Sequence, residues 1–402
     1  MKWTVLLCPA VLVLSACSET PDPVPVERRP LKAVLFPYIP DSAGDQFASL
    51  KQRLESDFER AHEDIDLEVV FDANLDVYDL DEGGTLNQLL GTGTGAAQLV
   101  EVDTLVLGSL VSKGWIQSVT QEAGVVHSAA EEAVRVSGES YGAPTYLCTN
   151  VVYSRSTNIR SATDSASLVR ILREVSAGKR PLATNFDGSW TLPSSYIDAW
   201  ADTHPGDALA SAISLPLDAK TVGAFEEVVD SCASETGANP CLDGTYADNT
   251  VAEEAFAQEQ ANGFMGYTER LFYILQAQPN MPLPEVISVP LGTGSAPAVF
   301  VDALVLNANC TGTCAEDARA VTRFMQAPET RSLIAFSKDG PEGTRPRYLL
   351  QANRAFYQQE PARSDPMYQK YEPILGGARS YPNQRFPENR KALQAALLED
   401  LQ

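Results

Sequence analysis

Cys148 carries the most chemistry in this sequence. It lies in the strand-like residues 141–154 (YGAPTYLCTNVVYS). The thiolate is the nucleophile of cysteine chemistry, so a reactive cysteine needs a base or a depressed pKa. None of the three histidines is placed by sequence to be that base. His62 falls late in a surface helix, His127 in a polar stretch and His204 in a Thr-His-Pro-Gly turn. A carboxylate partly buried in a cleft would serve instead, its pKa raised toward neutrality by desolvation. Asp302, inside the apolar run 300–307 (FVDALVLN), is a second site candidate. Isolated buried charge is costly, so a carboxylate there must be paired or at a surface. The plainer reading of Cys148, a small buried hydrophobe, stands beside the catalytic one.

That thiol is one of seven, and each has a different expected fate. Residues 1–16 read as an export signal, with Lys2 for charge and a mostly apolar stretch over 3–14. The stretch is too short to span a bilayer as a helix, which needs about 20 residues. Leu14-Ser15-Ala16-Cys17 resembles the bacterial lipobox, so cleavage is expected to leave Cys17 first in the chain with lipid on its sulfur. The alternative is ordinary cleavage near Ala16. Ser18 and Glu19 follow, a pattern similar to outer-membrane sorting in Gram-negative lipoproteins. Residues 17–30 are Pro-rich, without apolar periodicity, and read as an extended tether. The expected product is an exported bacterial lipoprotein, anchored on the periplasmic side or at the outer membrane. Cys8 leaves with the leader. Cys232 with Cys241, and Cys310 with Cys314, each flank a Gly-containing loop, and an exported chain favours local bridges. Four cysteines permit three connectivities. A metal site is the alternative use of these four, weakened because no histidine lies beside a cysteine. Cys148 is left unpaired.

The body that must position these groups has ordinary globular composition, 44% apolar and 21% charged over 402 residues. That length is too great for one core, so two lobes are expected. The formal charge of −23 repels phosphate backbones, which argues against nucleic-acid partners. Residues 32–36 read as a strand, 42–60 as an amphipathic helix on Phe47, Leu50, Leu54 and Phe58, and 65–71 as a second strand. Residues 91–97 form a Gly-rich loop and 105–114 open a helix. Helices are expected over 165–176, 191–203, 220–233 and 250–262, with strands at 182–185 and 263–267. Another buried strand at 300–307 precedes further helices, ending with 388–401. This alternation argues for an α/β fold. An exported, tethered, two-lobed α/β chain resembles a periplasmic solute-binding protein of type II, with the ligand cleft between lobes. On that pattern residues 31–147 plus about 300–345 form one lobe, 150–297 the other, and 346–402 are C-terminal helices. Cys148 falls at the crossing between lobes, where a cleft-wall residue meets the ligand.

Three segments sharpen the resemblance: 32–41 (KAVLFPYIPD), 141–153 (YGAPTYLCTNVVY) and 266–269 (GYTE). They resemble thiaminase I, or thiamine pyridinylase, a family built on the solute-binding-protein fold. Its members carry Tyr-Gly-x-Pro-x-x-x-Cys-Thr-Asn around a nucleophilic cysteine and Gly-Tyr-Ser-Glu around its base. The resemblance implies Cys148 as nucleophile, Glu269 as base and Tyr267 as the aromatic residue beside it. It likewise implies Tyr38 and Tyr78 as pocket tyrosines, and Asp302 and Asp103 as pocket carboxylates. Two residues depart from the pattern: Thr268 where Ser is usual, and Phe300 where Tyr is expected, which removes a hydroxyl. The implied substrates are thiamine and a small nucleophile such as an amine, a pyridine, a thiol or water. Cys148 would add to the pyrimidine ring, and thiazole would leave. No cofactor and no metal are called for. The cationic thiazolium suits an acidic, tyrosine-lined cleft. Two other functions share these features. One is a lipoprotein receptor delivering thiamine or a related cationic or aromatic solute to an ABC transporter; it needs no Cys148/Glu269 pair. The other is a pyrimidine-salvage enzyme using water. Tethered binders of this shape are monomers by default.

Overall fold

The computed structural model describes residues 28–402, apart from 92–95, 176–177, 234–236, 249, 293 and 295–296. The leader, Cys17, the tether as far as residue 27 and most of the loop 91–97 therefore lie outside the described residues.

The first lobe begins with β1 (Arg29–Val34), α1 (Ala48–Glu59) and β2 (Ile65–Val70). The two strands pair in parallel over six residues, as a helical crossover allows. Leu50, Leu54 and Phe58 share the buried face of α1, while β2 turns Ile65, Leu67 and Val69 inward and Asp66 and Glu68 outward. The expected tether ends earlier than residue 30. Arg29 already pairs with Ile65 in the sheet, and its guanidinium bonds Asp317 at 2.8 Å and Asp64 at 2.8 Å. Next come α2 (Thr85–Leu90), β3 (Leu99–Asp103), a 3-10 turn (Thr104–Val106) and α3 (Leu107–Ser112). The short β4 (Ile116–Gln117) and α4 (Ser128–Ala133) follow. A hairpin of β5 (Arg135–Val136) and β6 (Glu139–Ser140) then leads into β7 (Ala143–Cys148).

The chain crosses over immediately after Cys148. β8 (Asn150–Ser154) belongs to a second sheet, with β9 (Arg180–Ala183), β10 (Ala261–Tyr267) and β11 (Glu285–Ser288) in the order β11-β8-β10-β9. Helices α5 (Ser165–Val175), α6 (Thr191–Thr203), α7 (Ala219–Asp230), α8 (Val251–Ala257) and α9 (Arg270–Ala277) complete this lobe. The helix expected over 250–262 stops at Ala257. Glu259 takes a positive φ of 63°, which ends the helical turn, and the chain enters β10 at Ala261. Gly263 then lies so close to Leu172 that a Cβ would stand 2.8 Å from its side chain.

The return crossing feeds β12 (Ala298–Asn307), buried along all ten residues and central to the first sheet. That sheet runs β13 (Leu350–Gln351), β7, β12, β3, β1, β2, with β4 and β14 (Arg379–Ser380) also on β12. The rest of the chain is α10 (Thr313–Gln326), α11 (Pro328–Ala335), β13 (Leu350–Gln351), α12 (Arg354–Gln358), α13 (Tyr368–Ile374), β14 (Arg379–Ser380) and α14 (Phe386–Leu401). The C-terminal part is thus more than a set of helices. β13 and β14 extend the first sheet, whereas α14 packs against α6 and α7 of the second lobe and also touches the turn Thr104–Val106 of the first. Phe386 anchors that helix, fully buried, with its ring 5.5 Å from Tyr381 and 5.9 Å from Trp190. Burial of a side chain of this size contributes roughly 1.5–3 kcal/mol.

Cys232 and Cys241 stand at disulfide distance (S–S 2.21 Å), as do Cys310 and Cys314 (2.02 Å), and Cys148 is unpaired. Among the described residues no group of histidine, cysteine and acidic side chains is arranged to hold a metal ion, and no helix is long and apolar enough to cross a membrane.

Candidate active site

The site grows out of one bulge. Pro144 has no N–H to give the sheet, and the register of β7 against β12 shifts beside it: Ala303 opposes Pro144 while Asp302 opposes Tyr146. Thr145 is the extra residue, and its hydroxyl donates to the Asp302 carbonyl at 3.0 Å. Past the bulge, Cys148 at the end of β7 faces Phe300 on β12. Asp302 faces Asp103, the last residue of β3. Residues two apart share a face of a strand, so Cys148, Phe300, Asp302 and Asp103 form one patch at the strand ends.

The second lobe supplies the partner of the thiol. β10 ends at Tyr267, and Glu269 caps the N-terminus of α9. Tyr267 and Glu269 therefore do not share a strand face, because the strand has already turned into a helix between them. The glycine of GYTE has a packing reason: a Cβ on Gly266 would stand 2.6 Å from the Phe264 ring. The turn sets Glu269 Oε2 3.8 Å from Cys148 Sγ. Among the described residues Glu269 makes no ion pair, and its neighbour Arg270 bonds Glu253.

All seven residues expected at the site, Tyr38, Tyr78, Asp103, Cys148, Tyr267, Glu269 and Asp302, line a single cavity of about 980 Å³ between the lobes. Ligand pockets commonly measure a few hundred to a thousand Å³. Tyr38 sits at its rim, 49% exposed, its hydroxyl donating to Leu75 O at 3.3 Å. The Tyr78 hydroxyl donates to Asp103 Oδ2 at 3.0 Å, and Asp103 Oδ1 accepts the Leu105 N–H at 3.0 Å. The Tyr267 hydroxyl lies 3.3 Å from Ser194 Oγ. No histidine lines the cavity. His62 stacks on Phe58, His204 on Trp200, and His127 lies edge-on to Tyr357, where burial pushes its pKa down to about 4.

Burial sets the protonation states. It raises the Asp103 pKa to about 7, and raises Asp302 well above the carboxylate range, with the Asp103 charge adding to the shift. Two carboxylates facing each other across adjacent strands favour holding one proton between them. Burial likewise lifts Glu269 above its ordinary value. The Cys148 thiol is raised well above its ordinary value, first by burial and then by the Glu269 charge. The resting site thus pairs a neutral thiol with a carboxyl group of raised basicity, the arrangement for proton transfer on demand.

Several residues in and just behind the cavity wall carry no signal in the sequence. Trp190, just before α6, packs against Tyr78 of the other lobe, with ring centroids 4.6 Å apart and the planes tilted by 41°. Tyr381 lies parallel to Phe300, with centroids 4.0 Å apart, and its hydroxyl donates to Ser194 O at 3.2 Å. That hydroxyl is committed, so it does not replace the one missing at Phe300. Tyr273 and Arg390 complete the wall. Trp190, Tyr381 and Arg390 come from loops and a helix without a motif, and only three-dimensional contact finds them.

No family model matches the chain. Thiaminase-1 of Paenibacillus thiaminolyticus is similar to it, 23% identical over 345 residues that span 82% of this chain and 77% of that protein. Among solved structures, Clostridium botulinum thiaminase I in complex with thiamin superposes with a TM-score of 0.70 at 19% identity, covering 92% of this chain and 98% of that one. Maltose-bound MalE3 of T. maritima superposes with a TM-score of 0.69 at 14% identity, covering 92% and 94%. The chain has the two-lobed type II periplasmic-binding-protein-like fold, and its resemblance to thiaminase I extends over most of its length.

Proposed function

We propose that the protein is a thiamine-cleaving transferase that works as thiaminase I does, moving the pyrimidinylmethyl group from thiazole to another nucleophile. One observation carries the reading: Cys148 Sγ stands 3.8 Å from a half-buried carboxylate, Glu269, in the cavity between the lobes. Binding alone needs no such pair, and a receptor for thiamine or a related solute would have no use for it.

In this reading the Glu269 carboxylate takes the thiol proton and the Cys148 thiolate adds to the pyrimidine at C6. The bond from methylene to thiazolium nitrogen breaks, its electron pair goes to nitrogen, and neutral thiazole leaves. The incoming nucleophile bonds to the methylene and loses its proton, after which the ring expels the thiolate. Asp302 and Asp103, sharing a proton, can both accept from and donate to pyrimidine nitrogens and stabilise the charge that the ring gains. Tyr38, Tyr78 and Tyr267, with Trp190, offer aromatic faces to the thiazolium.

The chain incubated with thiamine and aniline is expected to release thiazole and form the pyrimidinylmethyl adduct, both seen by mass spectrometry. Thiamine bound tightly but never cleaved would favour the receptor. Asp302→Asn is expected to lower kcat/KM about 10²- to 10³-fold, the size of loss on removing one preorganised polar contact to a developing charge; unchanged turnover would remove Asp302 from the site. The export signal and a lipidated Cys17 belong to the same proposal. Labelled palmitate should enter the wild-type chain in bacteria and not Cys17→Ala; equal labelling would rule that anchor out.

A further inference from the structure

The cavity is acidic along its floor, with Asp103, Glu269 and Asp302, but its wall changes sign at one place. Two arginines line it. Arg270 is committed to Glu253 and lies 4.7 Å from the Tyr273 ring. Arg390, on α14, makes no ion pair among the described residues, although the charge of Asp76, which also lines the cavity, acts on it from a distance. Its guanidinium lies 4.3 Å over the face of Trp190, one terminal nitrogen donates to Ser189 Oγ, and the buried Nε has no partner. Burial pulls its pKa down, the sign of a cation partly stripped of water.

An unpaired, half-desolvated cation is unfavourable, and this chain has 53 acidic residues from which a partner could have been drawn. The planar guanidinium, steadied by Trp190 on one face and Ser189 at one end, keeps its other terminal nitrogen for an oxyanion in the cavity it lines. An anion is repelled by the acidic floor, so its place is this wall, where Tyr78, bonded to Asp103, meets Trp190.

Building on the proposed function, we propose that Arg390 is a specificity-determining subsite for an anionic group carried by one of the two substrates. The group is a phosphate ester on the hydroxyethyl arm of thiamine or an acidic substituent on the incoming nucleophile. Both place the negative charge at the end of the molecule away from its reacting atom.

Two pairs of substrates distinguish the sources. With aniline as nucleophile, kcat/KM is measured for thiamine monophosphate and for thiamine. With thiamine as donor, it is measured for 4-aminobenzenesulfonate and for aniline. In Arg390→Gln one anionic-to-neutral ratio is expected to fall at least about tenfold, the loss on removing a charge-assisted bond, and Arg390→Lys should restore part of it. The first ratio falling identifies a phosphorylated donor; the second, an acidic acceptor. Both ratios unchanged, or anionic and neutral substrates losing alike, would overturn the subsite and make Arg390 a structural tie. Calorimetric binding of thiamine monophosphate against thiamine, to wild type and Arg390→Gln, keeps the test separate from turnover. If nothing is cleaved, a binding preference erased by the substitution still upholds the subsite, and the absence of any preference in either binding or turnover removes it.

Discussion

Cys148→Ala is expected to abolish thiazole release, by about 10⁴-fold or more, while thiamine still binds. Losses of that size accompany removal of a covalent nucleophile whose partners act with it as a unit. The thiol is partly exposed at a strand end, at the edge of the core rather than within it. Its loss should therefore leave folding intact, and urea unfolding provides the check. Binding should survive because the cavity's aromatic and acidic walls are untouched. The measurement is single-turnover release of thiazole followed by mass spectrometry. A variant cleaving within tenfold of wild type would mean that a different group attacks the substrate, or that a solvent nucleophile displaces thiazole directly.

Glu269→Gln is expected to lower turnover about 10²- to 10⁴-fold, the range for a positioned general base. Its effect on the thiol itself runs in the opposite direction. The Glu269 charge and its hydrogen bond both raise the Cys148 pKa, so an uncharged amide should let that pKa fall. Alkylation of Cys148 by iodoacetamide should then proceed faster at a given pH in the variant, even as catalysis fails. In the wild type, turnover should rise with pH as Glu269 gives up its proton through a raised pKa, and that dependence should vanish in Glu269→Gln. Slower alkylation together with slower turnover would mean that the substitution damaged the site as a whole, and the base assignment would not stand.

The two chemical groups most visible in the sequence were visible for a physical reason. Cys148 and Asp302 each interrupt an apolar, β-rich run, and polar groups in such runs need an explanation. Asp302 finds it in the facing Asp103, but that pairing depends on strand register across distant parts of the chain, which no local pattern encodes. Glu269 is different. It occupies the single turn between β10 and α9, where neither the two-residue nor the 3.6-residue period applies, so only its motif marked it. The alternation of strands and helices revealed the α/β fold because each period leaves a print in the apolar spacing. Boundaries left weaker prints: the break at Glu259 is a backbone conformation, and the start of β1 at Arg29 rests on ion pairs with Asp64 and Asp317. Trp190, Tyr381 and Arg390 were illegible because their partners lie in other segments: Trp190 meets Tyr78 and Arg390, and Tyr381 meets Phe300.

That wrapping has a mechanical side. Two-lobed proteins of this kind are usually pictured as two shells on a pair of connecting strands, free to swing. Here β14 is pinned to the first sheet while α14, only residues 381–385 later, rests on α6 and α7 of the second lobe and brushes the turn after β3. Any swing that widens the cleft must stretch that five-residue span or peel the helix from one of its supports. The segment is a strap across the jaws, and it makes the opening angle a property of the last turns of the chain as much as of the crossing strands.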